Sequence, residues 1–71
     1  MLILGEFPIE YKNRAYYRKE KLEKLGIDSL YLHIMCIGDK AFLYYFDYYN
    51  QLNLDDIKSL LFRYGYQFYQ W

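Results

Sequence analysis

His33 is the only histidine in the chain and the first candidate for chemistry. An imidazole titrates near neutral pH and can act as a general base, and Tyr31 and Tyr44 are expected to lie beside it. The sequence places no carboxylate or nucleophile next to it. His33 is therefore predicted to be a structural or interface residue, and no catalytic residue is assigned. A small toxin-like nuclease that uses His33 with Arg14 or Arg18 is the weakest hypothesis.

Cysteine chemistry is limited to Cys36, the only cysteine, so the chain can form no internal disulfide. The sequence has no zinc spacing, phosphate-binding loop, nucleophile elbow, EF-hand or dinucleotide fingerprint. We therefore predict no metal, no cofactor and no enzymatic activity. Cys36 is expected to be an inert core residue. The cytoplasm is the expected compartment, because there is no export signal, and no apolar run approaches the length of a membrane span.

Basic side chains cluster between positions 12 and 24, where six Lys and Arg stand against two Glu, although the formal net charge of the chain is zero. The neutral total argues against a general polyanion binder. The cluster also contains tyrosines, which could stack on a nucleic acid that the cations grip. The candidate anion or nucleic-acid contacts are Lys12, Arg14, Tyr17, Arg18 and Lys21. For Arg18, a structural pair with an acid such as Asp47 is the preferred interpretation.

The periodicity of apolar residues predicts the elements that position these side chains. Residues 2–4 predict a first strand, and an apolar stripe over residues 11–25 predicts a helix that Gly26 ends. Residues 30–49 predict a β-hairpin with a type II′ turn at Gly38 and Asp39. The competing interpretation makes residues 41–49 a helix, but their aromatic density favours a strand.

The second half of the chain repeats the pattern. Residues 50–53 form a polar break, and Asn53 is expected to cap a second helix that Gly65 ends. A short strand is predicted at residues 66–71. The order is β-α-β-β-α-β in a single α+β domain over residues 1–71. It corresponds to a ferredoxin-like (split βαβ) four-stranded sheet with both helices on one face.

A two-residue turn fixes the hairpin register and sorts its side chains onto two faces. One face is small and aliphatic and suits the helices. The other is mainly aromatic, and no helix is expected over it. This face also holds Ile37, and its candidate protein-binding residues are Tyr31, His33, Met35, Phe42, Tyr44, Phe46 and Tyr48.

The aromatic face favours binding over catalysis, because exposed apolar patches of this kind mark interaction sites. The leading hypothesis is a protein-interaction module: a homodimer, an adaptor or an inhibitor. The alternative is a single-stranded nucleic-acid binder that uses the sheet aromatics and the basic helix, although the RNA-recognition signature is missing from residues 40–48. A third arrangement folds residues 66–71 over the face as a lid.

The bias towards Tyr, Phe, Ile, Lys and Asn is typical of AT-rich coding sequence, as in low-GC bacteria, their phages and mobile elements.

Overall fold

The computed structural model describes residues 1–49 and 53–71. It is a small compact α+β structure with a four-stranded antiparallel sheet and two α-helices. The strands are β1 (Leu2–Pro8), β2 (Leu32–Ile37), β3 (Lys40–Tyr45) and β4 (Tyr69–Gln70), and the helices are α1 (Lys12–Lys24) and α2 (Leu54–Arg63). The strand order in the sheet is β2-β3-β1-β4. The predicted polar break lies, apart from Asn53, outside the described residues.

Both helices end at the glycines that the sequence predicts. Gly26 and Gly65 adopt the left-handed conformation, with φ of 105° and 77°. After α2, the amide of Gly65 donates to the carbonyl of Phe62 at 3.1 Å and that of Tyr66 to Leu61 at 2.9 Å. This pair of bonds is the Schellman arrangement, which satisfies carbonyls that the helix leaves without a partner. Equivalent bonds follow α1.

The helix N-termini differ. At the start of α2, the side chain of Asn53 accepts a hydrogen bond from the amide of Asp55 at 2.9 Å, which confirms the predicted cap. Asp55 and Asp56 in the first turn face the positive end of the helix dipole. At the start of α1, Tyr11 provides no side-chain cap. The stability of α1 therefore depends more on its packing against the sheet than on capping at its N-terminus.

The β2–β3 hairpin has the predicted register. Gly38 has φ of 59°, which a two-residue hairpin turn needs at its first position. His33 pairs with Tyr44 and Met35 with Phe42. The extent of the hairpin is shorter than predicted, because the strands cover residues 32–37 and 40–45 rather than the whole of 30–49. Residues 41–45 are strand, so a helix over 41–49 is wrong.

Tyr31 does not lie on the aromatic face, contrary to the prediction. Asp28 begins a 3-10 turn over Ser29–Tyr31, with its carboxylate accepting from the amide of Leu30 at 2.9 Å. This turn breaks the strand alternation before residue 32 and directs Tyr31 into the core, where it is 6% exposed. Its ring centroid lies 5.9 Å from that of Tyr45.

β1 carries a bulge that the sequence did not reveal. Ile3 pairs with Tyr44 but Gly5 pairs with Leu43, so Leu4 is an extra residue in this strand. The extra residue reverses the alternation of side chains after it. Leu2 and Leu4 face the core, as simple alternation predicts, whereas Glu6, two residues further on, faces the opposite side together with Phe42.

The core lies between the sheet and the two helices. Leu22 of α1 and Leu61 of α2 have no exposed surface, and both belong to one cluster with Leu2, Leu43 and Tyr45. Both helices therefore cover the same face of the sheet. Neither helix in the described part of the chain has the length and apolar content that a membrane span requires.

The helices do not extend over the tip of the hairpin. Along the helix-facing side of β2, Leu32 is buried, Ile34 is partly buried and Cys36 is exposed. The prediction that Cys36 is a buried packing residue is therefore wrong, although its face is the predicted one. Alternation gives the face of a strand residue, but not how far the covering helix reaches.

Candidate protein-binding surface

The face of the sheet opposite the core has no described helix over it. Its side chains come from β2, from β3 and from the turn that follows β3. We call them the aromatic surface: His33, Met35, Ile37, Phe42, Tyr44, Phe46 and Tyr48. All of them except Ile37 are candidate binding residues from the sequence, and Tyr31 is the one candidate that the structure places elsewhere.

The rings of the aromatic surface pack against one another. The centroid of the His33 ring lies 5.2 Å from that of Tyr44, its cross-strand neighbour. The Tyr48 ring meets His33 edge-on at 5.8 Å and Phe46 edge-on at 4.4 Å. Edge-to-face pairs at these distances are favourable beyond the area that they bury. The surface is therefore an ordered cluster.

Phe46 and Tyr48 reach this cluster although they lie beyond the strand. The amide of Phe46 donates to the carbonyl of Tyr31 at 2.9 Å, which extends the hairpin ladder by one bond. The carboxylate of Asp47 then accepts from the amide of Tyr49 at 3.0 Å and forms a local turn. Tyr48 is thereby placed over the sheet while it remains 63% exposed.

His33 occupies the centre of the cluster. Its Nε2 atom is buried and has no hydrogen-bond partner in the described part of the chain. The imidazole is packed against the rings of Tyr44 and Tyr48.

β1 and β4 also contribute to this side of the sheet, which sequence reasoning missed. Ile3 is fully buried between its cross-strand neighbours Tyr44 and Tyr69. The hydroxyl of Tyr69 donates to the carboxylate of Glu6. This hydrogen bond, together with burial and the charge of Glu6, raises the pKa of Tyr69 above its ordinary value. Tyr69 is therefore a neutral donor at physiological pH.

The C-terminal residues do not form the lid over the aromatic face that the alternative arrangement requires. Tyr66 and Phe68 pack against the core cluster, on the helix side of the sheet. Tyr69 borders the aromatic surface, and Trp71 is 65% exposed. The Schellman motif at the end of α2 explains this path, because it turns residue 66 back towards the core. Only residues 69–70 then pair with β1.

The candidate anion-binding residues lie on α1, on the other side of the sheet. The guanidinium of Arg14 lies 4.8 Å from the ring centroid of Tyr11, and the Lys21 ammonium lies 4.7 Å from that of Tyr17. Lys12 is exposed on a different side of the helix, since it is two and nine residues from Arg14 and Lys21. Four of the five candidates therefore share one flank: Arg14, Tyr17, Arg18 and Lys21.

Arg18 has partners other than the acid that the sequence favoured. Its Nη1 donates to the carbonyl of Leu4 at 3.3 Å, and its guanidinium lies 5.1 Å from the ring centroid of Phe7. The carbonyl belongs to the extra residue of the bulge. Arg18 therefore stabilises the bulge, a role that requires knowledge of the strand irregularity.

No family model, curated protein or solved structure matches this chain. Within the described residues, no group of three or more His, Cys, Asp or Glu side chains is arranged to hold a metal ion.

Proposed function

We propose that the protein is a small non-enzymatic interaction module that docks onto another protein through the aromatic surface, with a second copy of the same chain as its partner. The observation that carries this proposal is the ordered ring cluster on a sheet face that no described helix covers. Tyrosine and phenylalanine are favoured at interfaces because they are large and semi-rigid, and Tyr also has a polar tip. An adaptor or an inhibitor would use the same surface towards a different protein.

The size of the surface sets the expected affinity. The uncovered face spans β1, β2 and β3, which lie about 4.8 Å apart, and each strand is about six residues long at about 3.4 Å per residue. The area of the face is therefore roughly 300 Å². Stable interfaces bury about 800 Å² per partner. Tyr48, which is 63% exposed, enlarges the face. We therefore expect a dissociable complex with Kd between about 1 µM and about 1 mM.

Charge supports self-association. The chain has formal net charge zero, so two copies do not repel each other at long range. Glu6 and Lys40 both lie at the margin of the aromatic surface, since Glu6 pairs with Phe42 and Lys40 precedes Phe42 by two residues. A two-fold axis brings the same patch of both copies together, so the Glu6 of one copy can approach the Lys40 of the other.

The alternative, single-stranded nucleic-acid binding, requires that the aromatic surface and the cations of α1 contact the same strand. α1 packs on the core face through Ala15 and Leu22, so its exposed cations point away from the aromatic surface. A nucleic-acid strand would have to pass around the sheet edge to meet both. The geometry favours a protein partner. A nuclease is less favoured still, because Arg14 and Arg18 lie on the side of the sheet opposite His33.

We also infer that the sheet has the ferredoxin-like arrangement. The strand order β2-β3-β1-β4 and the position of both helices on one face support this assignment. That fold serves many unrelated functions, so it adds nothing to the choice of partner.

Sedimentation velocity over about 10 µM to about 1 mM tests self-association at the expected affinity. We expect the weight-average mass of the wild type to rise towards that of a dimer. Tyr44→Asp and Phe46→Asp should remain monomeric, because each buries a carboxylate in the contact. Tyr16→Asp is the matched control, since Tyr16 is 55% exposed on α1 and should leave the dimer intact.

Circular dichroism must show that each Asp variant is folded, and Tyr44→Ala provides a milder second test if Tyr44→Asp is not. A wild type that stays monomeric at the highest concentration contradicts the homodimer. Equal association of the wild type and Tyr44→Ala contradicts the assignment of the surface. Binding of oligo-dT that Tyr44→Ala abolishes would favour the nucleic-acid alternative.

A further inference from the structure

β1 has an outer edge that is only partly paired. It is a seven-residue strand, but β4 pairs with Leu2 and Ile3 alone. Beyond Ile3, no described strand lies on that side of β1. An open edge of this kind presents unpaired backbone amides and carbonyls that can accept another strand.

The hydrogen bonds between β1 and the β2–β3 hairpin show which backbone groups of β1 point towards the open edge. The amide of Ile9 donates to the carbonyl of Asp39 at 2.8 Å, so Ile9 turns its backbone towards β3. In an antiparallel ladder, the backbone groups of successive residues point alternately to the two sides. Phe7 and Gly5 therefore also face β3, and both backbone groups of Glu6 face the open edge.

A groove of about 770 Å³ runs along this edge. β1 contributes the residues from Ile3 to Glu6, and Arg18 of α1 is the cation in its lining. Phe62 and residues 65–69 complete the lining. The bulge at one end and Pro8 at the other limit the open edge, so it fits one short segment rather than an indefinite stack of strands.

Positive charge lies on the α1 side of the groove. Gly5 allows Arg18 to approach β1 closely, since a Cβ at Gly5 would lie 3.0 Å from Arg18 Nη1 and 2.8 Å from the Phe7 ring. Arg14 and Lys21 are four and three residues from Arg18, on the same flank of the helix. Each of the three cations lies over an aromatic ring, which restricts its position.

Glu10 precedes Arg14 by four residues, but within the described part of the chain it forms no ion pair with Arg14. Glu23 of α1 is paired with Lys19 at 2.9 Å. The carboxylate of Glu6 lies on the opposite face of the sheet, where it accepts the Tyr69 hydroxyl. A strand added to β1 would therefore meet cations on its helix side and the Glu6–Tyr69 pair on its other side.

From this juxtaposition of an open strand edge, a groove and a row of cations, we infer that β1 binds an extended acidic peptide segment of a partner protein by strand addition. Main-chain bonds to Glu6 hold the segment, and carboxylates at alternate positions of the segment face Arg14, Arg18 and Lys21. The site borders the aromatic surface at Glu6, but its contacts with the segment come from the Glu6 backbone and from the cations of α1, on the other side of the sheet.

Fluorescence anisotropy with a labelled peptide of alternating Glu and Val tests this inference. Three comparison probes are needed: the same peptide with alternate backbone amides N-methylated, a Lys-for-Glu peptide, and oligo-dT. We expect the Glu–Val peptide to bind and the first two comparison probes not to bind. Arg14→Gln and Lys21→Gln should each weaken binding by about two- to five-fold, as for partly exposed ion pairs.

Amide shifts in a nitrogen-15 NMR titration should centre on Gly5 and Glu6. Equal binding of the N-methylated peptide would overturn strand addition, because only the charge would then matter. Tighter binding of oligo-dT than of the peptide would assign the cations to nucleic acid instead. Tyr44→Ala should leave peptide binding unchanged, so failure of this site is distinguishable from failure of the aromatic surface.

Discussion

Replacement of Tyr45 by Phe should stabilise the protein. Tyr45 is 2% exposed at the centre of the core, and its hydroxyl is buried without a hydrogen-bond partner among the described residues. A buried hydroxyl that lacks a partner costs about 1–3 kcal/mol. Removing the oxygen also removes its van der Waals contacts, so we expect a net gain of about 1 kcal/mol.

This gain corresponds to a rise in Tm of about 4–8 °C for a domain of this size. Urea denaturation followed by circular dichroism at neutral pH measures it. Tyr44→Phe is the matched control, because Tyr44 immediately precedes Tyr45 and lies on the uncovered face. Its effect should stay within about 0.5 kcal/mol. A loss of stability on Tyr45→Phe would show that the hydroxyl has a partner, and would refute the reasoning.

Alkaline pH gives an independent check of the same residue. Burial, and then the charges of Asp47 and Tyr31, raise the pKa of Tyr45 above its ordinary value of 10.0. A raised pKa means that the folded state holds the phenol proton of Tyr45 more tightly than the unfolded state does. Ionisation of Tyr45 therefore leaves the stability of the wild type unchanged below pH 10, and lowers it as the pH rises through the folded-state pKa. The advantage of Tyr45→Phe over the wild type should therefore widen above pH 10. A constant difference between pH 7 and pH 11 would contradict the shift.

Two further substitutions test the packing. Leu61→Ala should lower the free energy of unfolding by about 2–5 kcal/mol in urea, because Leu61 has no exposed surface, while Phe62→Ala beside it should change it by less than about 0.5 kcal/mol, since Phe62 is 82% exposed. Equal effects would mean that α2 docks by another face. Gly5→Ala should cost about 1–3 kcal/mol in the same assay, because the new Cβ would lie 2.8 Å from the Phe7 ring. A neutral result would show that Phe7 and Arg18 move aside freely.

The sequence predicts the hairpin well because one local feature determines it. Gly38 and Asp39 permit a two-residue turn, and the turn length alone decides which residues pair. His33, Met35, Phe42 and Tyr44 then fall on one face without any knowledge of the rest of the molecule. The helix ends are also determined by local features, since Gly26 and Asn53 each act within a single turn of the helix end.

The errors arise where a local feature interrupts a periodic one. Asp28 was available as a turn signal, and its turn removes Tyr31 from the alternation. The bulge at Leu4 has no such signal, because it is stabilised by Arg18, which lies 14 residues away in the chain. The exposure of Cys36 depends on the length of the covering helices. Side-chain alternation cannot report these tertiary effects.

We propose that the aromatic surface binds a second copy of the chain. Nitrogen-15 amide spectra recorded during dilution from about 1 mM to about 20 µM test it at the expected affinity. We predict that the concentration-dependent shifts cluster on His33, Met35, Phe42 and Tyr44 and disappear in Tyr44→Ala. Shifts that are absent, or that cluster on the exposed faces of α1 and α2, would contradict the claim.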